Sequence, residues 1–144
     1  MEDRVKGKAA VVFVVTIGMG PVVSAAGPQA QIADAPPTPK VKVVTLDPGD
    51  KPYLRLLGGP PDTASMRAGL VTLAPGTSVG KHSTGKNEEM LVPLEGEGEL
   101  RITGQPSIPI KPGLITYAPA HTEHDVTNTG TARLRYIFVV ARAE

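Results

Sequence analysis

After residue 40, the sequence consists of short β-prone runs separated by turns rich in glycine and proline. The chain has 16 glycines and 15 prolines, and most of them fall between these runs. No stretch in this part repeats apolar residues at i, i+3, i+4 and i+7, the spacing typical of an amphipathic helix. Many short strands at even spacing favour a barrel or a sandwich. The sequence therefore predicts an all-β fold.

The predicted strands are each bounded by glycine, proline or aspartate, the residues that end strands in turns. They are Val41–Leu46, Tyr53–Leu57, Ser65–Leu73, Glu89–Leu94, Glu99–Ile102, Leu114–Tyr117, His124–Asn128 and Leu134–Ala141. A chain of 144 residues suits one compact domain. We therefore predict a single β-barrel domain over residues 41–144.

The first 26 residues have the order of a secretory signal peptide. Three basic residues within the first eight precede an apolar run over residues 9–17, and Ser24-Ala25-Ala26 then offers a cleavage site. A membrane anchor is the alternative, but the apolar run is too short to span a bilayer core of about 30 Å. We therefore expect a signal peptide over 1–26, a periplasmic or secreted protein, and no stable membrane insertion after cleavage.

Residues 27–40 are rich in proline and alanine and read as an extended linker. Pro28, Pro36, Pro37 and Pro39 all lie within it. The β-prone segment that follows would then begin the folded domain.

The composition argues for a pocket over a charged binding face. The chain has 15 Lys+Arg against 14 Asp+Glu, which gives no electrostatic reason for a nucleic-acid partner. Aromatic residues make up only 3%, so stacking platforms for bases are poorly supplied. There is no cysteine, which excludes disulfides, thiolate metal sites and cysteine nucleophiles. A small-molecule ligand is the expected partner.

The three histidines of the chain all lie in the β region, at His82, His121 and His124. Because a barrel can bring side chains from separate strands together, His82, Glu89 and His124 could converge. Two imidazoles and one carboxylate are a common ligand set for a divalent metal and leave positions open for substrate. Surface histidines with ordinary hydrogen bonds are the alternative.

The segment 76–96 resembles the first motif of the cupin superfamily, in which a glycine precedes H-x-H, a glutamate and a closing glycine. Gly76, His82, Glu89 and Gly96 fall in register with it. The chain is therefore similar to a small bacterial single-domain cupin.

A second cupin-like motif follows after a short spacer. Gly113, Pro119, His124 and Asn128 match its glycine, proline, histidine and asparagine. The resemblance covers roughly residues 41–141 and implies a double-stranded β-helix, also called a jelly-roll barrel. It also implies one divalent metal ion, either Fe, Mn, Ni or Zn, and a homodimer formed by exchange of N-terminal strands.

Two positions depart from the family pattern. Thr84 stands where the second histidine of the first motif is expected, and His121 stands where the second motif has a glycine. His121 could replace the missing imidazole, although it could equally be a loop residue at the barrel mouth. Thr84 could hydrogen-bond a metal-bound water.

Other residues could contact a substrate. Tyr117 and Thr84 are predicted substrate-binding residues, although barrel core is the ordinary role for a tyrosine in a strand. Arg67 and Arg135 lie in predicted strands, where an inward arginine could clamp a carboxylate and an outward one would be solvated.

Two functions follow from the resemblance. One is a metal-dependent enzyme on a small organic molecule, since similar cupins include dioxygenases, isomerases, lyases and decarboxylases. The other is a non-catalytic barrel that binds a sugar or carboxylate, with or without metal. The fold alone does not choose between them.

Overall fold

A computed structural model describes residues 38–143 of the chain. The predicted signal peptide and residues 27–37 of the predicted linker lie outside the described residues. Within residues 38–143, no helix is long and apolar enough to cross a membrane. The strands are β1 Tyr53–Gly58, β2 Arg67–Leu73, β3 Asn87–Glu95, β4 Gly98–Ile102, β5 Ile108–Ile110, β6 Thr116–Ala118, β7 His124–Thr127 and β8 Leu134–Arg142.

The strands form two antiparallel sheets that enclose the core. The larger sheet has the order β1-β2-β8-β3-β6, and the smaller has the order β5-β4-β7. Buried side chains from both sheets meet in one apolar cluster: Val71, Leu73, Leu91, Leu100, Ile110, Val126, Leu134 and Tyr136. This arrangement confirms the predicted all-β barrel.

Asn128 closes the smaller sheet at the end of β7. Its side chain is fully buried, and its amide nitrogen donates to the carbonyls of Leu73 and Ala132, 2.9 Å away in each case. Its side-chain oxygen accepts from the backbone N–H of Gly130. The asparagine of the second motif therefore ties a turn to the larger sheet and does not belong to the binding site.

The register of the larger sheet determines which side chains share the inner face. Glu89 of β3 and Arg67 of β2 both pair with Val140 of β8, one from each side. Phe138 of β8 pairs with Gly69 of β2. Because side chains alternate along a strand, these residues belong to the same face of the sheet.

The predicted strand Val41–Leu46 is wrong. This segment has no regular structure, and the side chains of Val41 and Val43 are fully exposed. It is held by an ion pair from Lys42 to Asp62 and by the hydrogen bond that Arg135 donates to the Leu46 carbonyl. β-Prone residues need a neighbouring strand to complete their hydrogen bonds, and the described residues provide none here.

A short strand at Ile108–Ile110 was not predicted, and Pro109 lies within it. The strand lies at the edge of the smaller sheet and pairs only with β4. Proline is tolerated on edge strands, where one side of the backbone needs no partner.

Candidate metal and ligand site

His82, Glu89 and His124 lie together, as the sequence predicted. One potential ligand atom from each residue lies within 4.8 Å of those of the other two. Glu89 lies near the start of β3, and His124 is the first residue of β7. His82 lies in the loop before β3 and forms an isolated β-bridge with His124. The two backbone hydrogen bonds of this bridge have N to O distances of 2.9 and 2.8 Å. The backbone therefore sets the spacing of the two imidazoles, whose ring centroids are 4.6 Å apart.

The three residues differ in their exposure. His124 is 1% exposed and Glu89 is 6% exposed, whereas His82 is exposed. The cluster thus has a buried side formed by Glu89 and His124 and an open side formed by His82.

The hydrogen bonds of the two imidazoles fix their tautomers. Nδ1 of His82 lies 2.9 Å from the carbonyl of Gly80, and Nδ1 of His124 lies 2.9 Å from the carbonyl of Thr122. Because a carbonyl can only accept, each Nδ1 carries the proton and donates it. The lone pair of each neutral ring is therefore on Nε2, in the arrangement that orients metal-binding histidines.

The Nε2 atom of His124 lies 3.1 Å from Oε2 of Glu89. Both atoms would be acceptors in a neutral imidazole and an ionised carboxylate, so this contact needs one shared proton. The hydrogen bond that His124 donates to the Glu89 carboxylate raises the pKa of His124, although burial of the ring acts in the opposite direction. The pair thus holds a proton in a position that a cation could take.

This donor set fits a divalent metal ion. Two donors bound at about 2.1 Å and at a right angle would be about 3.0 Å apart, close to the Glu89 to His124 distance of 3.1 Å. Nitrogen and carboxylate donors together suit iron, manganese, nickel and zinc. His82, Glu89 and His124 could therefore hold a metal ion.

His121 is not a member of this three-residue cluster. Its backbone has a φ of 61°, which is uncommon for a residue other than glycine, and its N–H donates to the Gly85 carbonyl at 2.7 Å. It thus lies at an irregular turn, where regular alternation does not apply. A role for His121 as a ligand stays a prediction.

Thr84 lines the pocket beside the cluster. Its hydroxyl donates to the carbonyl of Asn87 at 2.7 Å, and the Asn87 amide donates to the Thr84 carbonyl at the same distance. Because the hydroxyl proton is used, the Thr84 oxygen can only accept a hydrogen bond from a ligand or water.

Tyr117 lies on the exposed side of β6, away from the pocket lining. It is 56% exposed, and its hydroxyl donates to Glu88 at 3.0 Å. This hydrogen bond raises the pKa of Tyr117. Glu88 precedes Glu89 on the same strand and therefore points to the opposite face.

A pocket of about 760 Å³ opens beside the cluster, within the size range of small-molecule sites. Its lining is mostly apolar and aromatic: Tyr53, Arg55, Leu57, Gly58, Arg67, Ala68, Val71, Val79, His82, Thr84, Glu89, Val126, Tyr136, Phe138 and Val140. Burial raises the pKa of Tyr136, which is 2% exposed.

Of the two arginines considered from the sequence, Arg67 lines this pocket, whereas Arg135 contacts Glu95 and the Leu46 carbonyl. Arg55 was missed. The alternation of Tyr53, Arg55 and Leu57 along β1 was the signal that could have found it.

The sequence profile of the Cupin domain family matches residues 69–140. The oxalate-binding protein of Thermotoga maritima is 34% identical over 68 residues, which are 47% of this chain and 55% of that protein. The chain thus matches about half the length of this curated relative.

Solved structures show the same fold. A Cupin 2 conserved barrel domain protein from Salinispora arenicola is 24% identical, with a TM-score of 0.60, and the match covers 72% of this chain and 91% of that one. An RmlC-like cupin family protein from Methanocaldococcus jannaschii, with a double-stranded β-helix fold, is 23% identical with the same TM-score and coverage. These similarities confirm the predicted double-stranded β-helix.

Proposed function

Because this chain belongs to the cupin domain family, we propose that it is an exported metalloprotein that acts on a small organic molecule. One divalent ion, either Fe, Mn, Ni or Zn, would be held by His82, Glu89 and His124. The observation that carries the proposal is the convergence of three ligand atoms within 4.8 Å beside a pocket.

When bound, such an ion supplies Lewis acidity toward a substrate oxygen. The protein residues would prepare the site for it. Backbone carbonyls hold both imidazoles with Nε2 available, and Glu89 provides the negative charge. Tyr136, Phe138 and Val140 line the pocket with apolar surface that excludes water. The Thr84 oxygen would accept a hydrogen bond from the substrate or from a water molecule.

Metal analysis of the purified protein, after reconstitution with each of the four metals, tests this proposal. We expect about one ion per chain. Glu89→Gln removes the ligand charge at nearly constant shape. Because loss of an outer-shell partner alone lowers metal affinity up to about 100-fold, loss of this direct contact is expected to lower it at least roughly 100-fold. Glu88→Gln is the matched control, since Glu88 is the adjacent residue on the other face of β3. No metal in any preparation, or equal loss from both variants, would refute the proposal.

A non-catalytic binding protein is the second candidate. It is favoured by Thr84, which leaves the cluster with one imidazole fewer than the resemblance implies, and by the similarity to an oxalate-binding protein. Ligand recovered unchanged after prolonged incubation with metal-loaded protein would support it, whereas product formation that Glu89→Gln abolishes would support an enzyme.

Export and a homodimer are also part of the proposal. The signal-peptide pattern of residues 1–26 supports export, and the exposed, unpaired Val41–Leu46 segment could add to a sheet of a second copy. N-terminal sequencing of exported protein should find a start at Gly27. Light scattering should give twice the mass of the mature chain, and a monomer would exclude the dimer.

A further inference from the structure

The pocket carries two cationic side chains in addition to the metal-ligand cluster. Arg55 and Arg67 both line it and are both exposed. Within residues 38–143, neither forms an ion pair, and Arg55 donates only to the Gly58 carbonyl, at 3.1 Å. Glu89 is the only carboxylate in the lining. The residues that line the pocket thus carry two positive charges and one negative charge. Asp62 is also close enough to Arg55 to interact with it electrostatically, but it forms an ion pair with Lys42.

The arginines and the cluster lie at separate places along the pocket. Arg67 and Glu89 pair with Val140 from opposite sides, so two inter-strand steps separate them. At about 4.8 Å a step, their backbones are roughly 10 Å apart. Arg55 pairs with Gly69, so it lies one strand beyond β2 and still farther from Glu89. The Arg67 side chain lies against Gly59, in the turn after β1. The two arginines and the cluster of metal-ligand candidates therefore lie at different ends of the pocket.

The pocket wall beside the arginines is apolar and partly flat. Val140 lies between Arg67 and Glu89 in the sheet. Phe138 is the next residue on the same face of β8. The rings of Tyr53 and Phe138 are stacked, with centroids 6.2 Å apart and planes 13° from parallel. They pack over Gly69, where a Cβ atom would lie 2.6 Å from each ring. A glycine is therefore needed at this position to form the aromatic wall. Such a wall favours a ligand with an apolar middle.

The volume also favours a ligand larger than a two-carbon acid. The volume of about 760 Å³ lies in the upper part of the range of about 300–1,000 Å³ typical of small-molecule sites. Oxalate, with its two carboxylates joined directly, would leave most of this space and the aromatic wall without contact.

We propose that the pocket selects an elongated organic dicarboxylate. One carboxylate would lie at the His82, Glu89 and His124 end, the other at Arg55 and Arg67, and the apolar middle against Phe138. The proposal names the ligand class of the metal site and therefore depends on the proposed function for that end. The arginine end of the proposal depends only on Arg55 and Arg67 and not on a bound metal.

Titration calorimetry on protein of known metal content tests the proposal, with oxalate, succinate, adipate and suberate as probes. We expect affinity to rise with length, so that adipate or suberate binds at least roughly 10-fold more tightly than oxalate. Arg55→Ala and Arg67→Ala should each weaken the long diacids about 10-fold, the size of a lost charged hydrogen bond, and leave oxalate unchanged. Arg67→Lys should recover part of the loss, because it keeps the charge. Arg101→Ala is the control, since Arg101 lies outside the lining and pairs with Glu99.

Oxalate binding as tightly as the long diacids, or long diacids unaffected by either arginine variant, would overturn the proposal. Hexanoate binding to metal-free protein tests the arginine end by itself, because hexanoate has one carboxylate and no metal is present to compete for it. If the protein holds no metal, the proposed function fails. Hexanoate binding that Arg55→Ala and Arg67→Ala weaken would still support the arginine end, and hexanoate binding that neither variant changes would refute it.

Discussion

The proposed metal-binding cluster of His82, Glu89 and His124 lies in two regions of different character. Glu89 and His124 belong to strands β3 and β7, are buried, and contact each other at 3.1 Å. His82 belongs to the loop between β2 and β3, is exposed, and is held mainly by its bridge to His124. Gly80 and Gly85 in this loop have φ values of 85° and 62°. Two of the proposed ligands are thus fixed by the sheets, and the third depends on a loop.

We call β3 and β7, which carry Glu89 and His124, the strand region, and the loop between β2 and β3, which carries His82, the loop region. The two regions should contribute differently to the stability of the fold and to metal binding. The strand region contributes to the core whether or not a metal is bound, because its side chains are buried and paired. The loop region is mostly exposed, and backbone hydrogen bonds at Val79 and His82 join it to β7. Lys81 adds exposed contacts with Thr103 and Glu123. Exposed ion pairs add little to stability. We therefore expect changes in the strand region to alter folding and changes in the loop to alter metal affinity alone.

The largest expected effect is that of His124→Ala on the metal-free protein. The change removes a buried ring and leaves Glu89 without its partner, and breaking such a pair costs about 3 to 5 kcal/mol. Urea unfolding of the metal-free variant should show the loss. A loss below about 1 kcal/mol would mean that the strand region is no more important for stability than the loop.

A smaller effect should appear when the pH is changed. The Glu89 hydrogen bond raises the pKa of His124 above its ordinary value of 6.5. The protonated pair therefore stabilises the metal-free fold fully below pH 6.5, and this contribution is lost as the pH rises through the raised pKa of the folded state. The urea midpoint of metal-free protein should fall over that range.

His124→Gln should remove this pH dependence, because an amide can keep a hydrogen bond to Glu89 without titrating there. His82→Ala should keep it. An unchanged pH profile in His124→Gln would show that another group causes the fall.

The sequence predicted the strand region well, because local patterns determine it. The alternation along β3 placed Glu89 inward, and two spaced motifs placed His82 and His124 beside it. The sequence failed where partners at a distance decide the structure. Val41–Leu46 has high strand propensity but lacks a neighbouring strand, and Ile108–Ile110 becomes a strand in spite of Pro109 because β4 offers an edge.

The binding pocket was harder to predict than the metal cluster. Arg55 and Arg67 reach the same pocket only through the pairing of β1 with β2 and of β2 with β8. A single sequence does not state this pairing. The conformation of the connection between β6 and β7 could not be predicted either, because His121 has a left-handed backbone although it is not a glycine.

The smallest expected effect on stability is that of His82→Ala, although its effect on metal binding should be large. The side chain is exposed and donates one hydrogen bond to Gly80, so the free energy of unfolding of the metal-free protein should change by at most about 0.5 kcal/mol. Metal affinity should fall at least roughly 100-fold, because one of three ligands is lost. Calorimetry with metal and urea unfolding without metal measure the two effects on the same preparation. His121→Ala is the comparison. If it lowers metal affinity as much as His82→Ala, the connection between β6 and β7 supplies a fourth ligand, and metal binding depends on a second loop as well.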